Sequence, residues 1–319
     1  MADVTIIGAG VAGLFAAHVL VQRGLTPRIL DRNGAPGPHG CSWWAGGMLA
    51  PQCEGVTADP VITRLGAEAA DAWSAITPVT RRGTLVLALD RDRAELARFA
   101  RRATAHHPCD SADLEPDLQP RPGLIFPTEA HLDPRRALAD LAAWLAARGI
   151  GIECATAEPG DVAGPVIDAR GLSAALPDLR GVRGEMVVLH APDIALTRPV
   201  RLLHPRHPLY IVPRAGGLFM LGATQIESAS RARPTARSVL ELLSAAYALD
   251  TRFAESAIVE MGADLRPAFP DNVPRVTVRG RVLHLNGLFR HGYLMAPALA
   301  RQAADYLITE TKGELVHEN

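Results

Sequence analysis

Three glycines and one acid carry the first chemical signal of the chain. The run Val4-Thr5-Ile6-Ile7-Gly8-Ala9-Gly10-Val11-Ala12-Gly13 turns from apolar β-branched residues into glycines, and Asp31 follows a second apolar stretch. Gly8 permits a tight turn, Gly10 lets backbone approach a pyrophosphate, and Gly13 allows a helix to pack closely on a strand. A helix starting there would direct its unpaired N-terminal amides and the positive end of its dipole at phosphate. The Asp31 carboxylate can accept both hydroxyls of an adenosine ribose. Strand, glycines, helix, strand and acid in this order describe a dinucleotide site far more specifically than a glycine triplet alone.

Other residues with chemical potential lie further along. Cys41-Ser42-Trp43-Trp44-Ala45-Gly46-Gly47-Met48 has a centre too rich in small residues for ordinary core, and would let backbone approach a flat ring. Near the far end, Asn286-Gly287-Leu288-Phe289-Arg290-His291-Gly292-Tyr293-Leu294 runs from a strand into the last helix, placing a second set of helix N-terminal amides where electron density could be received. Arg266 follows an apolar strand-like run and precedes Pro267, an odd setting for a solvated charge. Its guanidinium could grip a carboxylate through two parallel bonds, and the Tyr210 hydroxyl could add a third. The bland alternatives are a strand-end ion pair for Arg266 and a core tyrosine for Tyr210. His204 and His207 are flanked by prolines and read as structural loop histidines. His106-His107 reads as a solvated turn before Pro108, and Trp43-Trp44 as packing or a pocket wall.

To position these groups the chain must supply a scaffold. Apolar β-type runs at 4–7 and 26–30 enclose a helical segment at 14–24, a βαβ unit that implies a parallel sheet. Helical patterns recur at 59–76, 91–104, 134–148, 235–249 and 297–309, and further strands are expected at 84–89, 150–154, 166–169, 185–190, 210–212, 218–222 and 282–285. The middle strands are mostly not separated by helices, which predicts an antiparallel sheet there. The fold class is therefore α/β, a Rossmann-like dinucleotide domain at 1–78, 134–182 and 266–319 with an antiparallel-sheet substrate domain interleaved at 79–133 and 183–265.

Composition removes several functions. With 33 basic and 34 acidic residues the chain has no polyanion-binding charge, so nucleic acid is a poor partner. No segment has the length and unbroken apolarity of a membrane span, and Asp3 replaces the basic start of a signal segment. Cys41, Cys53, Cys109 and Cys154 show neither a CxxC pair nor a disulfide framework, so reduced thiols in a cytoplasmic protein are expected, with no metal site.

Taken with His204-Pro205-Arg206-His207-Pro208-Leu209-Tyr210, Gly222-Ala223-Thr224 and Gly262-Ala263-Asp264-Leu265-Arg266-Pro267, these motifs resemble the glycine oxidases within the FAD-dependent D-amino-acid oxidase family, over essentially the whole chain and in the family's order. The resemblance implies non-covalent FAD, a small amino-acid substrate and oxygen. It assigns Gly8, Gly10, Gly13 and Asp31 to the ADP half of FAD, and Cys41, Ser42, Ala45, Gly47 and Met48 to the stretch from pyrophosphate to flavin. Gly171 falls where a strand passes the nucleotide, and Gly287, Arg290, His291, Gly292, Tyr293 and Leu294 match the segment at the flavin's pyrimidine edge. Arg266 and Tyr210 match the substrate-carboxylate clamp, while Arg290 gates the pocket or stabilises the flavin. The implied activity is oxidation of glycine to an imine, or to glyoxylate and ammonia, with hydrogen peroxide, the imine serving thiazole formation in thiamine biosynthesis. Same-fold alternatives are a D-amino-acid or sarcosine oxidase or dehydrogenase. A rival of another class is a catalytically silent flavoprotein partner of a thiazole synthase, and self-association is left open. The stretch 154–166 is too short for the extra strands of longer relatives.

Overall fold

The computed structural model describes residues 3–174, 176–204 and 208–318. Its strands are β1 (Val4–Ile7), β2 (Pro27–Asp31), β3 (Met48–Leu49), β4 (Thr84–Ala88), β5 (His107–Asp110), β6 (Pro122–Phe126), β7 (Ala130–His131), β8 (Ile152–Cys154), β9 (Val166–Asp168), β10 (Arg180–His190), β11 (Val200–Leu203), β12 (Leu209–Arg214), β13 (Leu218–Gly222), β14 (Ile226–Glu227), β15 (Ala257–Ala268), β16 (Arg275–Arg279), β17 (Val282–Asn286) and β18 (Val316–Glu318).

A seven-stranded sheet has the order β18-β16-β17-β9-β1-β2-β8, with β1 parallel to both β2 and β9. Ile6 and Ile29 face each other in that register and are fully buried. Helix Val11–Gln22 is apolar nearly all round because it lies against this sheet and also packs on helices Pro134–Ala146 and Gly292–Thr309. Burying side chains such as Leu14 and Leu20 there contributes roughly 1.5 to 3 kcal/mol each. The second sheet has the order β14-β10-β13-β12-β11-β4-β6-β5, and β15 pairs with β10 along its length. It is antiparallel apart from the β11–β4 pair.

Several boundaries differ from the periodicity reading. The first helix begins at Val11 and the last at Gly292, because glycine-rich turns already supply helical starts; Pro297 lies inside the last helix, where the Tyr293 carbonyl that loses its helical donor accepts the Trp73 indole N–H at 2.7 Å. The 59–76 segment divides into helices Pro60–Gly66 and Ala69–Ser74. β10 begins at Arg180 and β15 continues to Ala268, so both strands cross the divisions expected at 183 and 265. The pair His106-His107 is not a solvated turn: His107 opens edge strand β5, and the His106 ring lies against Phe126 with 5.6 Å between centroids. Between β8 and β9 the chain makes only the 3-10 turn Pro159–Asp161, as the short stretch there suggested. His207, with Pro205 and Arg206, lies outside the described residues.

Candidate functional site

At the carboxyl ends of β1, β2 and β9 the chain closes a backbone cradle. Gly8 has φ of 108°, its N–H donates to Leu30 O at 2.8 Å, and the Ala169 N–H donates to Ile7 O at 2.8 Å. A Cβ on Gly13 would stand 1.9 Å from Gly8 O, so the helix touches the turn with no space for a side chain. The Asp31 carboxylate accepts the Ala9 N–H and the Asn33 N–H, both at 2.8 Å, one on each oxygen. Each oxygen retains a lone pair, so Asp31 fixes the glycine turn and can still receive hydroxyls. Ser42 Oγ accepts the Val11 N–H at 3.1 Å, joining the 3-10 turn Cys41–Trp44 to the helix start.

From this cradle a cavity of about 960 Å³ runs between the two sheets, at the upper end of the range for ligand pockets. Its walls include Gly8, Gly10, Asp31, Cys41, Ser42, Ala45, Gly47, Met48 and Gly171, then Arg290, His291, Gly292, Tyr293 and Leu294, and finally Tyr210 and Arg266. Gly13 and Gly287 stand behind the wall. A Cβ on Gly287 would meet the Phe269 ring at 2.2 Å, so its φ of 76° serves the close passage of that ring. The Tyr293 hydroxyl is engaged by the carbonyls of Ser42 at 3.0 Å and Pro134 at 3.1 Å, and ties the last helix to the first half of the chain. His204 is half-buried after β11 and is not among the cavity's lining residues.

The inner wall is also shaped by missing side chains. Arg214 donates to Gly46 O at 2.8 Å and to Leu132 O at 2.6 Å, holding the 45–47 backbone in place. Tyr210 lies between two glycines: a Cβ on Gly46 would come within 2.9 Å of its ring and one on Gly222 within 2.8 Å. Burial pushes the Cys41 thiol up to about 12, with the Asp264 charge adding to it, so this cavity-lining sulfur stays protonated.

At the far end the charged side chains converge. The Arg266 guanidinium lies over Gly184, where a Cβ would be 2.1 Å away, and donates to Thr224 O at 3.1 Å. The Tyr210 hydroxyl lies against it. Among the described residues no carboxylate pairs with Arg266, and burial draws it below the ordinary guanidinium range, a cost that a bound anion would offset. Arg290, by contrast, has its Nε 2.7 Å from Glu54 Oε2 and donates to Thr57 Oγ1 at 2.7 Å. Arg201 pairs with the other oxygen of Glu54. Burial opposes ionisation of Glu54, yet Arg290 and Arg201 outweigh it and hold the carboxyl well below the usual carboxylate range. His291 Nδ1 is 3.5 Å from Glu54 Oε2, and burial lowers its pKa to about 4, leaving the ring neutral near pH 7.

Glu54 and Arg201 escape a reading of motifs. Arg201 stands opposite Tyr210 in the β11–β12 ladder, so the two side chains share one face of the sheet. Its signal in the sequence is one arginine within the apolar run Val200-Arg201-Leu202-Leu203; that of Glu54 is its position just beyond the small-residue stretch.

The arrangement fits FAD. Backbone amides and a ribose acceptor stand at one end, a small-residue wall in the middle, and a helix N-terminus with an anion-ready arginine at the other. Similarity to known proteins agrees with this geometry. A Rhizobium etli protein, named provisionally as the thiamine biosynthesis oxidoreductase ThiO, is 50% identical over 313 residues, covering 95% of each chain. A Trichormus variabilis protein named bifunctional ThiO/ThiG is 25% identical over 357 residues, covering 98% of this chain and 54% of its own. The crystal structure of glycine oxidase from Geobacillus kaustophilus superposes with a TM-score of 0.83 at 22% identity, covering 98% of this chain and 96% of that one. Residues 3–306 match the family described as FAD dependent oxidoreductase, and the chain belongs to that family, the D-amino-acid oxidase family of flavoproteins.

Proposed function

We propose that this FAD-dependent oxidoreductase oxidises glycine to its imine, which either hydrolyses to glyoxylate and ammonia or is passed to thiazole formation, and that oxygen is reduced to hydrogen peroxide. The observation that carries the proposal is Arg266: a half-buried guanidinium facing the cavity, with the Tyr210 hydroxyl beside it and no carboxylate partner among the described residues. Bound FAD supplies the two-electron acceptor. The chain's part is to hold the substrate. Arg266 takes the carboxylate and fixes its plane, Tyr210 adds a bond, and Cα is thereby held for hydride loss, a positioning contribution that needs no acid–base residue if the amine binds neutral. The protonated Cys41 thiol and the neutral His291 ring leave the nearby wall without a strong base.

The fused relative named ThiO/ThiG supports a thiazole synthase as the partner that consumes the imine. A cytoplasmic location belongs to the same proposal; no helix among the described residues is long and apolar enough to cross a membrane. The test is a visible spectrum of the purified yellow protein. Glycine without air should bleach the flavin, air should restore it with release of peroxide, and acid should leave the flavin in the supernatant. Bleaching without reoxidation would make the protein a dehydrogenase, and a much higher kcat/KM for sarcosine or D-alanine would displace glycine.

A further inference from the structure

Among the described residues, Arg201, Arg266 and Arg290 stand around Tyr210 and Glu54 in the cavity wall, and they are not equivalent. Among the described residues Arg266 has no carboxylate partner, whereas Arg201 and Arg290 are held on opposite oxygens of the single carboxylate of Glu54. These pairs come from three distant segments: helix Pro51–Glu54, strand β11 and the turn before helix Gly292–Thr309. All three residues line the cavity together with Tyr210 and Arg266. The carboxylate is largely buried, with 13% of its side chain exposed, so solvent screens it weakly. Arg201 Nε and Glu54 Oε2 are both buried without a hydrogen-bond partner, so Glu54 holds Arg290 as an ion pair and Arg201 keeps one donor unused.

We infer that Glu54 is a specificity-determining residue: by occupying Arg201 and Arg290 it restricts the cavity to substrates with one carboxylate, at Arg266, and disfavours those with two. The inference rests on the Arg266 clamp proposed above. A second carboxylate entering beside the first would approach the like charge of Glu54 and compete with it for guanidiniums already engaged. Two unit charges about 7 Å apart at an effective dielectric near 20 interact strongly enough to change binding about fiftyfold, which partial exposure reduces to about tenfold. Removing Glu54's charge should therefore free a second anion position, and removing Arg201 should do the reverse.

The experiment titrates the FAD-loaded protein with acetate and with malonate, neither of which is oxidised, and reads binding from the flavin spectrum. The ratio of the Kd for malonate to that for acetate should fall about tenfold in Glu54→Gln and rise severalfold in Arg201→Gln. Opposite shifts support the inference; an unchanged ratio in either variant, or shifts in the same direction, overturn it. A loss of packing alone would weaken both ligands together and leave the ratio where it was. If one variant does not hold FAD, the sign of the shift in the other decides. Because no turnover is measured, a protein inert toward glycine that shows the opposite shifts would refute the glycine reading and leave this one standing.

Discussion

At the nucleotide end of the cavity the groups that face a ligand are mostly backbone, gathered within Gly8–Gly13 and steadied by Asp31 and Ser42. At the substrate end they are side chains, brought by Glu54, Arg201, Tyr210, Arg266 and Arg290 from five separate segments. Backbone atoms cannot be removed, only displaced, so the first end is vulnerable to added volume. Side chains can be deleted with the fold intact, so the second is vulnerable to lost charge and hydrogen bonds. On the function proposed above, the contrast separates cofactor retention from substrate handling.

The largest effect should follow Gly13→Ala. The added Cβ would stand 1.9 Å from Gly8 O, a backbone atom fixed by the sheet, and neither partner can give way. Overpacking of this kind costs about 3 kcal/mol or more, and the purified variant should be colourless or fail to fold. A yellow, active Gly13→Ala protein would show that the cradle deforms and would erase the contrast between the two ends.

Next in size is Arg266→Ala, expected to keep FAD while losing about 3 to 5 kcal/mol of transition-state binding, a fall of at least about a hundredfold in kcat/KM. Tyr210→Phe, which removes one hydrogen bond to a charged group, should cost about 1.5 to 3 kcal/mol. Loss of flavin in Arg266→Ala would make that arginine structural, and near-normal kcat/KM would move the clamp to Arg290 with its Glu54 tie broken. Steady-state kinetics with a flavin absorbance check on each variant separate these outcomes.

Per histidine and per pH unit, the smallest effect concerns acidity. Burial lowers His18, His131 and His291 each to about 4, so all three are neutral in the fold at pH 7 and protonate in the unfolded chain below about 6.5. Their folded-state pKa values are depressed, so their stabilising contribution is complete above about 6.5 and is lost as pH falls toward 4. The slope is about 1.4 kcal/mol per pH unit for each histidine. Denaturant midpoints measured from pH 8 to pH 4 should drop below about 6.5, and flavin release should track unfolding. Stability that is flat across this range would mean that the imidazoles are not buried neutral.

How far a residue could be read in advance follows from how far its partners lie along the chain. The βαβ unit, the glycine cradle and Asp31 interact within the first 31 residues, where local geometry and periodicity suffice, and the 41–48 and 286–294 stretches are marked by small residues beside helix starts. Arg266 and Tyr210 stood out through unusual surroundings and through the family resemblance. Glu54 and Arg201 did not, because their significance is pairwise: one carboxylate holding two arginines, neither of them nearby in sequence. The Tyr293 hydroxyl shows the same limit, since its segment is marked by pattern while its bonds to Ser42 and Pro134 depend on how distant elements pack.

The amino-acid sequence by itself therefore determined the dinucleotide cradle and the mixed α/β architecture, which depend on local backbone preferences and short-range periodicity, and its motifs carried the resemblance to the family. Only the tertiary structure decided that, among the described residues, Arg266 lacks a carboxylate while Arg201 and Arg290 share Glu54, which glycines line the cavity and which stand behind it, and where Glu54 points. Those outcomes depend on which distant strands and turns are brought together, and charge pairing acts through space, indifferent to separation along the chain.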